Sequence, residues 1–435
     1  MRVPEQLRVL LLCGSIFTLV GGTLSFDSNS GSATTDRLPS PPPIAADKHA
    51  ASSLSLRPPD TSTPGWDALA PVPLDARTAR AAGLLDVRGV GDAGMAVTYE
   101  QPPAPTDTLP YGKQARFGER LTAFDPTGLS YRGDLSFINW ESAVGTQCDH
   151  FSGEPGPVSY AFVSDPQNLL DARLYGFNMV GLANNHSQDC ASAPDSVNGA
   201  RRSATWMDEL QRTLRADWLW HGVGPRDAVR VRTLALGDRT VRVAFASLYL
   251  AAKRCPFVVC GAARQTVFRS METAEADLRI LSLHSWNAAT QQQLVETGET
   301  FLRDYEGDIV FGHGPHVWRD VRIIKSSSGE PGVLFQSLGN FLHPELAAER
   351  KNLIGRVLLD RETLRVRQVQ AISVATDGAT GSFADAPSPA AVPTNRTWTP
   401  VNDSTWRSGV SPYVKGAYFN LPSGSTSSPT AGRSR

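Results

Sequence analysis

Short apolar runs alternate with amphipathic stretches through the middle of the chain. The runs Leu84 to Val90, Leu135 to Ile138, Asn178 to Ala183, Val241 to Leu248, Arg279 to Leu283, Asp308 to Phe311 and Val333 to Ser337 predict strands. Pro166 to Tyr175, Ala200 to Ala216 and Thr290 to Tyr305 carry helical periodicity. Strands that read as near-continuous apolar runs, separated by helices, predict a largely parallel sheet covered on both faces, hence an α/β fold.

The pattern stops on either side. Residues 26–83 are rich in Ser, Pro, Thr and Asp, a composition too poor in large apolar groups to form a core, and they read as a disordered linker. Residues 376–435 read as a Pro/Ser/Gly-rich tail, although Trp398, Trp406, Tyr413 and Tyr418 give part of it something to dock with. At the front, Arg2 and Arg8 precede an apolar run from Val9 to Gly22, with small Thr23 and Ser25 behind it. Residues 1–25 are therefore expected to be an export signal, with an uncleaved anchor at the membrane as the alternative. The expected location is extracellular or cell-envelope.

Composition narrows the partners. The 42 basic residues nearly balance 43 acidic ones, so no general attraction to nucleic acid or to an anionic membrane surface is expected. With Cys13 inside the signal, Cys148, Cys190, Cys255 and Cys260 remain, an even number that in an exported chain predicts two disulfides. Four cysteines allow three pairings; Cys148–Cys190 with Cys255–Cys260 is the favoured one. No phosphate loop, GxSxG elbow or HExxH helix is present, which excludes the corresponding NTPase, serine hydrolase and zincin readings.

Ligand sites in open α/β sheets form at the carboxyl ends of the strands. Asp92 follows the first run, Asn139 and Glu141 the second, and Asn184, Asn185 and His186 the third. His284 ends the fifth run, His313 and His316 follow the sixth, and Asn340 with His343 follows the last. Asp134 begins its strand and belongs to the opposite edge. Carboxylate, carboxamide and imidazole delivered from six strands to one edge form a donor set for Mn, Zn or Fe rather than Ca.

The stretches VRGVGDAGMA, INWESAVG, YGFNMVGLANNHSQD, FGHGPHVWRD and VLFQSLGNFLH, in this order, resemble the motifs of the capsule-synthesis CapA family, a branch of the calcineurin-like metallophosphoesterases. The resemblance covers roughly residues 85 to 373. It implies a four-layer α/β/β/α sandwich and a part in making, exporting or anchoring an extracellular polyanion such as poly-γ-glutamate, in partnership with that polymer or its synthesis and export machinery. By motif position Asp92, Glu141, Asn185, His284, His313 and His316 would hold a divalent metal. His186 would contact the scissile group, with Asn184 beside it. Asn139, Asp189, Trp286, Arg319 and Asn340 would touch the substrate or orient the ligands.

Two positions depart from the pattern. Gly94 stands where calcineurin-like enzymes carry a histidine two residues after the aspartate. The segment His284-Ser285-Trp286-Asn287 keeps the histidine and an aromatic but lacks the family's glycine and glutamate. Three readings stay open: a metal-dependent hydrolase or transferase acting on a phosphoester or an amide, a metal-free acid/base enzyme, and a non-catalytic scaffold of a polymer-export complex.

Overall fold

The computed structural model describes residues 70–99, 116–146, 161–190, 199–214, 218–224, 229–236, 239–250, 255 and 257–422. The segment expected as a signal, the linker up to residue 69, and Cys148 lie outside the described residues.

In chain order the strands are β1 (Leu84–Ala93), β2 (Ala96–Tyr99), β3 (Leu135–Trp140), β4 (Ala143–Val144), β5 (Ala161–Ser164), β6 (Met179–Gly181), β7 (Leu219–His221), β8 (Arg230–Leu236) and β9 (Arg239–Tyr249). They continue as β10 (Leu278–His284), β11 (Ile309–His313), β12 (Val321–Lys325), β13 (Pro331–Phe335), β14 (Glu349–Asp360), β15 (Val366–Asp377), β16 (Thr380–Ser382), β17 (Thr399–Val401) and β18 (Gly416–Asn420). The helices are α1 (Ala76–Ala81), α2 (Phe117–Phe124), α3 (Pro166–Leu174), α4 (Gly199–Leu214), α5 (Arg264–Thr273) and α6 (Ala288–Asp304).

Among the described residues the strands form two large sheets and a small one. The first large sheet runs β17-β18-β15-β14-β1-β3-β6-β7, with β16 beside β15; the second runs β12-β13-β11-β10-β9-β8. The first sheet is not largely parallel as the sequence predicts. β1, β3, β6 and β7 are parallel, whereas β14, β15, β17 and β18 add antiparallel strands beyond β1.

Alternate side chains explain the layering. Val87, Phe137 and Met179 of the first sheet pack with Phe245, Ile280 and Phe311 of the second in one apolar cluster between the sheets. Their neighbours Val90, Ile138 and Val180 face the other way, into a cluster with Phe117, Leu169 and Met207 from α2, α3 and α4. Leu281, Val310 and Leu334 turn outward onto Phe268 and Phe301 of α5 and α6. Helix, sheet, sheet, helix is the four-layer α/β/β/α sandwich that the resemblance implies. The inter-sheet contact is close: Phe137 and Phe311 stack at 5.1 Å and 4°. Gly89 leaves the room for this, since a Cβ there would lie 2.6 Å from the Phe311 ring.

The packed structure runs past both boundaries read from composition. Trp406 is buried, as are Trp398 and Phe419, and β18 extends the first sheet beside β15. At the front, Arg88 and Arg356, register partners on β1 and β14, converge on Asp86. All three are fully buried. Their spare donors hold the incoming chain: Arg88 donates to Leu74 O at 2.6 Å and Arg356 to the carbonyls of Val72 and Pro73, each at 3.0 Å. Gln370 donates to Val72 O at 2.9 Å and Gln368 to Ala70 O at 3.2 Å, so residues 70–74 are tied down by side chains rather than by a strand ladder.

Candidate metal centre

Both sheets end at the same edge, and the site is assembled from the turns there. From the first sheet come Asp92 near the end of β1, Glu141 just past β3, and Asn185 and His186 past β6; from the second come His284 and His313, the last residues of β10 and β11. β10 and β11 are parallel, with His284 opposite His313 in the ladder. A bulge between Val90 and Asp92 offsets the carboxylate from the regular strand alternation.

Asp92 is the hub. Its Oδ1 accepts from Asn139 Nδ2 at 2.7 Å and its Oδ2 from the Gly314 N–H at 2.8 Å. The same Oδ1 lies 3.5 Å from His313 Nδ1 and 3.7 Å from His284 Nδ1, while those two nitrogens are 2.8 Å apart. Glu141 Oε1 lies 3.7 Å from His284 Nε2 and 3.7 Å from His316 Nε2. His284 Nε2 donates to Asn185 Oδ1 at 2.7 Å. The six residues expected as ligands thus meet in one place.

Donor atoms of Asp92, His284 and His313 form one group, and those of Asp92, Glu141 and His316 a second, each within 4.8 Å. Asp92 belongs to both. Glu141 is fully buried, yet neither carboxylate oxygen has a hydrogen-bond partner among the described residues. Folded chains almost never leave a buried carboxylate in that condition, and the facing imidazole nitrogens stand too far off for hydrogen bonds. A divalent cation fits this donor set of carboxylate and imidazole.

For His284 and His313 the electrostatics are consistent with ligation. Burial holds the His284 imidazole down at about 4, against the pull of the Glu141 charge, and burial with the neighbouring His284 ring holds His313 well below its ordinary value. Both rings are neutral at physiological pH, the form that offers a lone pair to a metal. Burial and the charge of Glu141 push Asp92 up. For Glu141 itself burial acts upward, but the surrounding His316, His284 and His186 outweigh it and hold the carboxyl down. Burial would lower His316, but Glu141 and Asp92 raise it to about 9.

The turn carrying His316 is bent to reach the site. His316 sits at φ 59°, a left-handed conformation uncommon for a residue with a side chain, and Gly314 at φ 103°. A Cβ on Gly314 would meet Ser285 O at 2.0 Å, so only glycine brings this N–H down to Asp92.

His186 lies beside this centre with Asp189. Its Nδ1 donates to Asp189 Oδ2 at 2.6 Å, and its ring stacks on Phe162 at 3.9 Å. Asp189 is held in turn by the Phe162 N–H at 2.8 Å. Burial depresses the imidazole, but the Asp189 charge and hydrogen bond more than reverse this and raise its pKa. Asn184, expected beside His186 in catalysis, is turned inward instead. It donates to Trp140 O at 2.9 Å and accepts from the His186 N–H at 3.1 Å, bracing the turn that carries the two residues after it.

Asn139 orients Asp92 as already described. Asn340 forms a bridge with Asp92 through the backbone and donates from its side chain to Ala347 O at 3.2 Å. Trp286 is 46% exposed and Arg319 is exposed as well, both outside the ligand cluster.

Ser282, which the strand-end reading does not name, and His343, which it names without a role, both hold the centre. Ser282 Oγ donates to His313 Nε2 at 2.7 Å; its signal was its place two residues before His284 on the same strand face. His343 donates from Nε2 to Glu141 O at 3.2 Å and accepts the Glu345 N–H at Nδ1, so both nitrogens are occupied and it holds the Glu141 backbone rather than a metal. A Cβ on Gly94 would lie 3.4 Å from this ring, which places His343 against the position where the related enzymes carry their extra histidine.

The disulfide expected between Cys255 and Cys260 is not formed. Both are thiols, and the Cys255 N–H donates to Cys260 Sγ at 3.1 Å. A short turn brings the two close without linking them, so closeness in sequence is not by itself a bond. The Cys148–Cys190 pairing involves a residue outside the described set.

A family model described as bacterial capsule synthesis protein PGA_cap matches residues 90–345, which contain every member of the ligand cluster. The chain belongs to this family. No curated protein matches it. Among solved structures, one described as a novel phosphatase from Mycoplasma pneumoniae is 12% identical, with a TM-score of 0.39, covering 68% of this chain and 95% of that one. A hypothetical protein from Thermus thermophilus is 13% identical, with a TM-score of 0.34, covering 68% and 96% respectively.

Proposed function

We propose that the chain is a metal-dependent hydrolase or transferase acting on a capsular polyanion or its precursor. The observation that carries this reading is the buried Glu141 carboxylate, without a hydrogen-bond partner and facing imidazoles, in a cluster whose two donor groups share Asp92. Asp92, His284 and His313 would hold one ion and Asp92, Glu141 and His316 would complete a second position, with Asn185 adding a neutral oxygen. A divalent cation in such a site supplies Lewis acidity, polarising a phosphoryl or acyl oxygen and making a water acidic enough to attack near neutral pH.

The chain's own groups do the rest. His186, its Nδ1–H committed to Asp189, keeps Nε2 for the substrate; a raised pKa favours the imidazolium, which donates a proton to a leaving oxygen or nitrogen. Phe162 fixes the ring plane by stacking. Asn139 and the Gly314 N–H hold Asp92 in one orientation throughout.

Elemental analysis of purified protein, with hydrolysis of a generic phosphodiester before and after chelator treatment, tests the reading. Bound Mn, Zn or Fe and chelator-sensitive turnover support it. A protein that takes up no metal under loading conditions, or that turns over equally well after chelation, rules it out.

A further inference from the structure

On β9 and β10 every second residue turns toward the first sheet, and Val241, Val243 and Phe245 of β9 with Leu278 and Ile280 of β10 fill the apolar layer between the sheets. The next positions in the same alternation are Ser247 and Ser282, register partners and both fully buried. Two hydroxyls thus stand where the pattern calls for apolar groups, which costs free energy unless both are bonded. Gly181 of β6 makes room for them: a Cβ there would lie 2.8 Å from Ser282 Oγ and 3.1 Å from Ser247 Oγ.

The pair links the backbone of the first sheet to the metal centre. The Ala183 N–H donates to Ser247 Oγ at 3.3 Å, Ser247 Oγ lies 3.3 Å from Ser282 Oγ, and Ser282 Oγ lies 2.7 Å from His313 Nε2. His313 Nδ1 then meets His284 Nδ1 at 2.8 Å, and His284 Nε2 meets Asn185 Oδ1 at 2.7 Å. The amide at one end can only donate and the carboxamide oxygen at the other can only accept. Each hydroxyl and each neutral imidazole between them brings a single proton, so one arrangement satisfies every contact: all the protons point toward Asn185. In that arrangement His313 carries its proton on Nδ1, the atom 3.5 Å from Asp92 Oδ1. Its Nε2 is bare. Phe137 stacks on the ring at 5.9 Å and 27°, which holds it in its plane.

We infer that Ser282 and Ser247 are positioning residues that decide which nitrogen of His313 carries the proton, and so whether the ring is ready to act as a ligand. Without an ion the hydroxyls donate toward Nε2 and keep the proton on Nδ1, where it occupies the lone pair that faces Asp92. With an ion in place the Ser282 hydroxyl turns to accept from Nε2–H, and the Nδ1 lone pair is released to the site. The ring stays neutral: one proton leaves Nδ1 for water and one is taken up at Nε2 from water. Only a group that both donates and accepts serves both states, which is the reason for a hydroxyl here rather than a methyl. The inference rests on the metal-dependent reading and deepens it, since it concerns how one ligand is made ready.

Nitrogen NMR of the full-length chain carrying isotope-labelled histidine tests this, first metal-free and then loaded with Zn, alongside Zn affinity from competition with a chelator. The His313 signals, assigned through a His313→Gln variant, are expected to show a bare Nε2 and a protonated Nδ1 without metal, and the reverse with Zn. Ser282→Ala is expected to weaken Zn binding about 10- to 100-fold, the range for groups that orient a ligand, and to shift the Nε2–H resonance of the loaded protein, whose acceptor is gone. Ser247→Ala, one link further away, is expected to give a smaller loss and serves in its place if Ser282→Ala does not fold. A protonated Nε2 in the metal-free chain, a pattern that stays the same on loading, or wild-type Zn affinity in the variants would each overturn the inference. A chain that loads Zn but fails on one of these counts keeps the proposed function; one that takes up no Zn fails that reading first and this inference with it.

Discussion

His284 and His313 lie opposite each other in a parallel ladder, with their Nδ1 atoms 2.8 Å apart. Because each is the last residue of a buried strand, the backbone ladder fixes the spacing of the two rings before any ligand arrives. Rigid placement of this kind favours metal binding, since little ordering is left to do on ligation.

Metal removal by substitution should follow the sharing of Asp92. Asp92→Asn is expected to reduce bound metal more than His316→Asn, because the aspartate serves both donor groups and His316 only one. Losses in affinity of at least 10- to 100-fold are expected for either, as ligands matter at least as much as the groups that orient them. Elemental analysis after dialysis against Mn or Zn reads this directly, and equal retention in Asp92→Asn and wild type would defeat the assignment.

Proton donation by His186 predicts a loss in kcat of about 10²- to 10⁴-fold for His186→Ala, with metal retained. A general acid works below its pKa, so turnover should fall as pH rises through the His186 value, which Asp189 holds above the ordinary 6.5. Asp189→Asn removes that charge and should shift the alkaline limb to lower pH. A pH–rate profile unmoved by Asp189→Asn would remove His186 from the acid role.

Stability has its own pH signature far from the metal. Arg356 and Arg88 overcome the burial of Asp86 and hold its carboxyl at about 2, below the ordinary 3.8. A depressed carboxylate stabilises the fold fully above about pH 4, and that contribution drains away as pH falls toward 2. It amounts to roughly 2 kcal/mol. Denaturant melts at pH 5 and pH 2.5 should differ by more in wild type than in an Asp86→Asn variant. That variant should itself lose about 3–5 kcal/mol at pH 7, because two buried guanidinium groups are left without their counter-charge.

Gly91 meets the turn after β13 with no room to spare: a Cβ would fall 1.8 Å from Gly339 O. The Asp92 N–H bonds to that same carbonyl at 2.9 Å. Gly91→Ala should therefore push the hub aspartate off its partners, costing about 3 kcal/mol in a thermal or denaturant melt and lowering metal affinity together. Loss of one without the other would show that this contact does not position Asp92.

The site was far more legible in the sequence than the frame around it. Asp92, Glu141, His284 and His313 each close an apolar run, and a parallel strand delivers whatever follows it to one edge, so chain position carried the geometry. β14 and β15 were missed because Arg356, Gln368 and Gln370 interrupt their apolar alternation, yet those residues are buried against residues 70–74 and against Asp86. β17 and β18 are only three and five residues long and lie in a Pro- and Ser-rich region, where Trp398, Trp406, Tyr413 and Tyr418 are the hints of packing. Asn184 was placed in the chemistry by its neighbours in the motif; only the direction of its side chain shows that it holds the turn.

The tie on residues 70–74 has a mechanical side. Tension applied to the chain ahead of Ala70 would be taken up by Gln368, Gln370, Arg356 and Arg88, and through them by the longest strands of the first sheet. Asp86, the anchor of that grip, is six residues before Asp92 on the same strand, about 20 Å away. A pull from that direction would load the far end of the sandwich and leave the turns bearing the Asp92 cluster slack.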